Sequence, residues 1–221
     1  NINYTNVCTF KCRFCGFSKG PLSLNLRGSP YLLTLDEIAG RVREAADLGA
    51  TEVCLQGGIH PDFDGDYYIA VLERIKARLP EEAGLKTLPG TAAEILDDEV
   101  RAVLCPDKIN TEAWLEAHRT AHGVGLRSNI TIMFGAIEQP RSWARHLVRT
   151  RDLQRETGGF TEFVPLPFVH MEAPMYRRGL ARRGPTWREV VLMHSIARLV
   201  LGPVLRNIQV SWVKLGTAGA A

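Results

Sequence analysis

Apolar positions along this chain fall into two alternating patterns. Short, nearly unbroken apolar runs rich in β-branched residues recur at INYTNV (2–7), EVCLQ (52–56), LKTL (85–88), SNITIM (128–133), FTEFVP (160–165) and NIQVSW (207–212), and they predict strands. Their continuity, rather than a one-in-two alternation, predicts a parallel sheet buried on both faces. Between them lie segments with helical caps. Thr34 with Glu37, Thr91 with Glu94 and Thr186 with Glu189 fit the T-x-x-E capping box, in which two side chains satisfy free backbone N–H groups. Gly49 is expected just past the first helix, where a left-handed residue ends it. Leu72, Ile75 and Leu79 give a second helix one apolar face, which Pro80 ends. Two further helices are expected over 111–122 and from Arg141 to near Glu156.

Strand–helix alternation predicts right-handed βαβ units around a parallel sheet, an α/β fold. The strands are followed in turn by cysteines, GGIHP (57–61), PG (89–90), FGAIE (134–138) and PLPF (165–168). Polar and glycine-rich chemistry at the carboxyl ends of strands is the habit of a (β/α) barrel, so a barrel or open barrel is expected, as one domain over 1–221. Only six strands are legible, whereas a complete eight-fold barrel takes about 250 residues. The tail GTAGAA (216–221) is expected to fray.

Composition narrows the class. Hydrophobic residues at 45% and charged ones at 23% are those of an ordinary soluble globular domain. No apolar run approaches the roughly 20 residues that span a bilayer, and no signal-peptide pattern precedes the first cysteines. A cytoplasmic protein with no membrane partner is expected. The net charge of +3 is mild, and one basic cluster, YRRGLARRG (176–184), reads first as a solvated loop and second as an anion-binding loop. A nucleic-acid footprint would be broader. Five cysteines are an odd number for a disulfide framework, which a chain of this size does not need. Cys54 is expected to be buried and inert, and Cys105 has no evident role.

The stretch NVCTFKCRFCGFS (6–18) places Cys8, Cys12 and Cys15 within eight residues and stops at three. Structural zinc would normally take a fourth protein ligand, and no histidine lies close by in sequence. A 4Fe–4S cluster usually takes four thiolates. With three, one iron stays open to an exogenous ligand, and the missing cysteine becomes the place for chemistry.

C-x-x-x-C-x-x-C with Phe14 before the last cysteine resembles the radical S-adenosylmethionine superfamily. That resemblance implies a 4Fe–4S cluster on Cys8, Cys12 and Cys15. It also implies S-adenosylmethionine on the open iron and reductive release of a 5′-deoxyadenosyl radical. It places Phe14 near the adenine and matches QGGIHP (56–61) to the segment meeting the methionine amino group. Gly57 and Gly58 would there allow close backbone approach; a plain strand-end turn is the other reading of these glycines. FGAIE resembles the later G-x-x-E element near the adenosine, through Gly135 and Glu138, although Glu138 could instead be exposed before Pro140.

A narrower resemblance covers nearly the whole chain. NVCTFKCRFCGFSKG, CLQGGIHPDFDGDYY, LPGTAAEILDDEVR, LCPDKINTE, FTEFVPLPFVHMEAPMY and NIQVSWVKLG are together similar to the FO (deazaflavin) synthase family. They match its tyrosine-using component (CofH type), or the carboxyl-terminal half of the fused enzyme. The resemblance implies a transferase joining the 4-hydroxybenzyl group of L-tyrosine to 5-amino-6-(D-ribitylamino)uracil, with glyoxylate and ammonia from the remainder. It implies an electron-donor protein and a ring-closing component, separate or fused. Relative to the family, a strand–helix unit of about thirty residues is expected to be missing near 80–81, together with a final segment; either this is a true deletion or the intervening residues are not part of the sequence as given, in which case Pro80 and Glu81 are not true neighbours. The competing readings are a radical enzyme of futalosine-dependent menaquinone synthesis and a structural zinc or iron–sulfur module.

For substrate contacts the residues supply only candidates. A zwitterionic amino acid needs a cation for its carboxylate, and Arg127 and Arg177 or Arg178 are available, although a surface role is the favoured reading of each. His60 and His170 follow strands and could transfer a proton or serve as hydrogen-bonded structural residues. Glu172, Tyr176 and Lys214 follow on position alone. His118, His122, His146 and His194 fall inside helices and are expected to pack or face solvent.

Overall fold

The structure is a computed structural model that describes residues 1–21, 23, 28–79 and 84–220. These residues divide into two units, one of 1–11 with 15–85 and the other of 12–14 with 86–221. In the first, β1 (Ile2–Thr5) and β2 (Leu55–Gly57) pair in parallel, Ile2 opposite Leu55. Helices α1 (Leu35–Asp47) and α2 (Gly65–Lys76) accompany them. The capping box at Thr34 is complete: its hydroxyl accepts from Glu37 N, and the Glu37 carboxylate accepts from Thr34 N at 2.7 Å. Gly49 follows with φ of +88°, the left-handed geometry that glycine adopts without a Cβ penalty. Asp64 caps α2 through Tyr67 N. Ile2, Tyr4, Ile38, Val42, Val71 and Ile75 form this unit's core, with Leu79 packed against it. The second helix stops earlier than expected: α2 ends at Lys76 with Ala77 as its C-cap, short of Leu79, while Pro80 itself and the expected break at 80–81 lie outside the described residues.

In the second unit β3 (Thr87–Leu88), β4 (Arg127–Phe134) and β5 (Phe160–Pro167) form a parallel sheet in that order. Its helices are α3 (Asp98–Leu104), α4 (Thr111–Gly123), α5 (Pro140–Thr157), α6 (Pro174–Arg177), α7 (Trp187–Leu201) and α8 (Trp212–Ala220). Ile130, Ile132, Phe134, Phe163, Leu147 and Met193 are almost wholly buried and define the core. Burying each such side chain stabilises the fold by roughly 1.5–3 kcal/mol before entropy is charged against it. Pro140 opens α5, where a missing N–H costs nothing, and Gly158 closes it at φ of +64°.

Three expectations are corrected. The sixth strand shrinks to one parallel bridge, Ile208 beside Phe163. Phe163 N donates to Asn207 O and Gln209 N donates to Phe163 O, both at 2.9 Å, before the chain turns into α8. Thr91 and Glu94 do not open a helix. Ala92 and Glu94 have φ of +66° and +46°, outside helical geometry. Trp114 Nε1 donates to Thr91 O at 3.2 Å, Glu94 pairs with Lys108, and the helix waits until Asp98. The tail does not fray across the described residues: α8 runs to Ala220, with non-helical angles at Gly216.

Candidate functional site

In the first unit the cysteine loop grows directly from β1. Thr5 is fully buried; its hydroxyl donates to Tyr31 O at 2.7 Å and accepts from Val7 N at 3.1 Å. Asn6 bridges Tyr31 N and Ser29 O. These bonds fix where the loop leaves the strand. Thr9 N donates to Ile59 O at 2.9 Å and Gly58 N to Thr5 O at 3.0 Å. Ile59 N in turn donates to Cys8 Sγ at 3.3 Å, and Ser18 N donates to Cys15 Sγ at 3.4 Å. Backbone N–H groups aimed at sulfur stabilise thiolate charge and tune a metal cluster held by it.

The two glycines at the end of β2, Gly57 within it and Gly58 just past it, have a reason internal to the chain. A Cβ on Gly58 would lie 2.0 Å from Val7 O, and one on Gly57 would lie 2.5 Å from the Tyr4 ring. The cysteine loop and the β2 loop therefore touch backbone to backbone. Beside them Cys8, Thr9, Lys19 and Pro61 wall a cavity of about 480 Å³. His60 stacks on Phe63 with centroids 4.3 Å apart. Its Nδ1 accepts from Asp62 N at 3.2 Å, which puts the proton of the neutral ring on Nε2.

Cys12 and Phe14 belong to the second unit, where both pack against the core. Between them, Arg13 N donates to Leu104 O at 2.9 Å, and Arg13 O accepts from Met175 N at 2.8 Å. Lys108 Nζ lies 5.7 Å from the Phe14 ring centroid and 2.7 Å from Glu94 Oε1, with both side chains 15% exposed. Burial works against the lysine's charge. The Glu94 carboxylate and the sulfurs of Cys12 and Cys105 outweigh it, holding the lysine above its ordinary pKa. No short motif announced this pair, because its members stand fourteen residues apart on two loops. Cys105 is in the core, where burial pushes its thiol up. Cys54 is half-buried rather than buried.

Glu138 is buried, not exposed. Its carboxylate accepts from the N–H groups of Gly135, Ala136 and Ile137 and from Trp143 Nε1 at 2.9 Å, so it organises the loop after β4. Gly135 has φ of +94°, and a Cβ there would meet Pro185 at 2.3 Å. After β5, His170 meets the Tyr176 ring edge-on at 4.6 Å. His170 and Lys214 line a cavity of about 230 Å³, with Phe168, Arg183 and Val190 among its other walls. Lys214 Nζ donates to Pro167 O at 3.1 Å, and burial pulls its pKa down although Glu94 opposes this.

The arginine candidates divide the same way. Arg127 donates to Gly158 O at 2.7 Å and Arg177 to Met171 O at 2.9 Å, so both serve the backbone. Arg178 is exposed. Glu172 has one carboxylate oxygen shielded from solvent. The helical histidines pack. His118 and His122 share the Ser128 hydroxyl at 3.0 and 2.8 Å, and fully buried His146 accepts from Leu96 N at 3.1 Å. His194 Nδ1 contacts Val190 O at 2.8 Å.

Among the described residues no three His, Cys, Asp or Glu side chains are gathered to hold a metal ion. Cys8 and Cys15 count with one unit and Cys12 with the other. The donor chemistry does fit an iron–sulfur cluster. It offers three thiols, none in a disulfide, with backbone N–H groups on two and the third packed against the second unit's core. No helix among the described residues is long and apolar enough to cross a membrane.

Comparison with known proteins agrees with this reading. The family model for the Radical SAM superfamily matches residues 2–91. The FO synthase of Streptomyces avermitilis is 45% identical over 251 aligned positions, which take in 100% of this chain and 29% of that protein. The 5-amino-6-(D-ribitylamino)uracil–L-tyrosine 4-hydroxyphenyl transferase of Methanopyrus kandleri is 45% identical over 98% of this chain and 66% of its own length. The FO synthase of Mycobacterium tuberculosis is 46% identical over 98% and 28%. Among solved structures, HydG, a maturase of the FeFe-hydrogenase, superposes with a TM-score of 0.69 at 13% identity, covering 95% of this chain and 50% of that one. Methylornithine synthase (PylB) gives 0.68 at 18%, covering 94% and 63%. These two share the fold, that of a partial TIM-like (β/α) barrel. The chain thus spans under a third of the FO synthases it matches.

Proposed function

This chain belongs to the radical SAM superfamily, and from that premise we propose that it performs the tyrosine-dependent step of FO assembly. It would join the 4-hydroxybenzyl group of L-tyrosine to 5-amino-6-(D-ribitylamino)uracil. The observation that carries this is the 45% identity to the Methanopyrus kandleri transferase across 98% of the chain. Cys8, Cys12 and Cys15 would hold a 4Fe–4S cluster with one iron left for S-adenosylmethionine. When bound, that pair would supply a 5′-deoxyadenosyl radical for hydrogen abstraction.

The chain's own residues do the rest. N–H groups of Ile59 and Ser18 donate to the sulfurs of Cys8 and Cys15 and would tune a cluster held there. Gly58 keeps the cysteine loop against the β2 loop, and Glu138 with Gly135 shapes the loop after β4. Phe14, Gly57 and Gly135 would face the adenosine and methionine parts of the cofactor. In the cavity beyond β5, the Lys214 ammonium is suited to a carboxylate. His170 there, and Nε2 of His60 in the first unit, are the candidates for moving a proton. An electron-donor protein and a ring-closing component complete the set of partners. We also read the 251 aligned positions, against a chain of 221 residues, as a strand–helix unit that the relatives have and this chain lacks near 80–81.

The test is product analysis after anaerobic reconstitution, with dithionite, S-adenosylmethionine, tyrosine and the ribityl-diaminouracil. A mass equal to the uracil bearing a 4-hydroxybenzyl group is expected. Deoxyadenosine without that adduct would remove the substrate assignment.

A further inference from the structure

An ion pair taken largely out of water is a poor way to stabilise a core, because desolvating two charges offsets most of their attraction. The Glu94–Lys108 pair therefore calls for a reason beyond stability, and its surroundings offer one. Lys108 reaches back from the turn after α3, where its N–H donates to Cys105 O at 3.1 Å. Its ammonium stands 2.7 Å from Glu94 Oε1 and 5.7 Å from the Phe14 ring. Phe14 is two residues from Cys12, and the segment between them is pinned on both sides of Arg13 by Leu104 and Met175. Those bonds hold the Cys12–Phe14 segment beside the lysine. Glu94 is held in turn by Met133 N, which donates to its carbonyl at 2.6 Å.

We propose that Glu94 and Lys108 together set the charge at the Cys12 corner of the cluster, with Lys108 the member that eases its one-electron reduction. This rests on the cluster reading above and adds a role for two residues outside the cysteine motif. The physics is direct. Adding an electron to a cluster is favoured by a nearby cation and opposed by a nearby anion, and burial preserves both effects against screening. The two members must therefore act with opposite signs, whereas a merely structural pair would weaken the fold alike when either is lost.

The experiment is a redox titration followed by electron paramagnetic resonance, on the reconstituted full chain and on Lys108→Met, Glu94→Gln and Lys108→Arg. At a fixed potential Lys108→Met should lower the reduced fraction by about tenfold, the effect of one partly screened charge at short range. Glu94→Gln should raise it, and Lys108→Arg should restore it. Shifts of the same sign in the first two variants, or no shift in either, would overturn the proposal while leaving the cluster in place. Should Lys108→Met fail to fold, Glu94→Gln decides alone, an unchanged or lowered reduced fraction counting against the pair. A wild-type chain that takes up no iron would remove the cluster reading and this proposal with it.

Discussion

Glu138 commits both carboxylate oxygens to its own loop, receiving three backbone N–H groups and an indole N–H in a buried place. Such a carboxylate needs no salt-bridge partner, since four converging donors spread its charge. Removing it strands those donors away from water. Glu138→Ala should lower unfolding free energy by on the order of 3 kcal/mol, read from the urea midpoint; a loss below about 0.5 kcal/mol would show that the loop holds itself. Gly58 makes the complementary case. A methyl there meets Val7 O at 2.0 Å, so Gly58→Ala must part the cysteine loop from the β2 loop. Iron bound per chain should fall by at least about half, a loss consistent with a misplaced ligand loop, while a surface control such as Gly65→Ala, which meets nothing, should leave it unchanged.

Within the second unit a chain of polar side chains ties α4, β4 and α5 together: His118 to Ser128, Ser128 to His122, and His122 to Thr157 at 2.7 Å. Burial lowers the pKa of His118 to about 4, with His122 adding to the effect. Burial also lowers that of His122, with Arg127 adding to it. The unfolded chain binds these protons near the ordinary histidine value, so it takes up more protons than the folded one between about pH 6.5 and 4. Stability should therefore be complete above pH 6.5 and decline as pH falls toward 4, by on the order of 2 kcal/mol. His118→Gln should flatten that decline in denaturation curves at pH 7 and pH 5; an unchanged slope would place the titration elsewhere. Much of this element level was legible in the sequence. Local signals sufficed where the cap and the apolar stripe agreed, as at Thr34 and Thr186. The same T-x-x-E spacing misled at Thr91, because Glu94 is drawn to Lys108 and two residues take positive φ. NIQVSW carries a strand's composition but makes only one bridge before Trp212 starts a helix. The cysteine spacing was fully visible; the long-range partners of Cys8 and Lys108 were not, since no short window contains both halves of either contact.

Across the whole chain, the cysteine segment is shared between the two units, with 12–14 counted apart from its flanks. A cluster that binds the folded chain and not the unfolded one must raise the unfolding temperature by mass action. Anaerobic calorimetry should show that rise on reconstitution and its disappearance in Cys12→Ser; equal midpoints with and without iron would separate the cysteines from any folded metal site. The most direct test of the account as a whole is the 5′-deoxyadenosine released per reconstituted chain, with tyrosine present and with tyrosine withheld. The account predicts release that rises with tyrosine concentration and falls to background in Cys12→Ser. Release that ignores tyrosine, or no release from a chain that has taken up its iron, would contradict it.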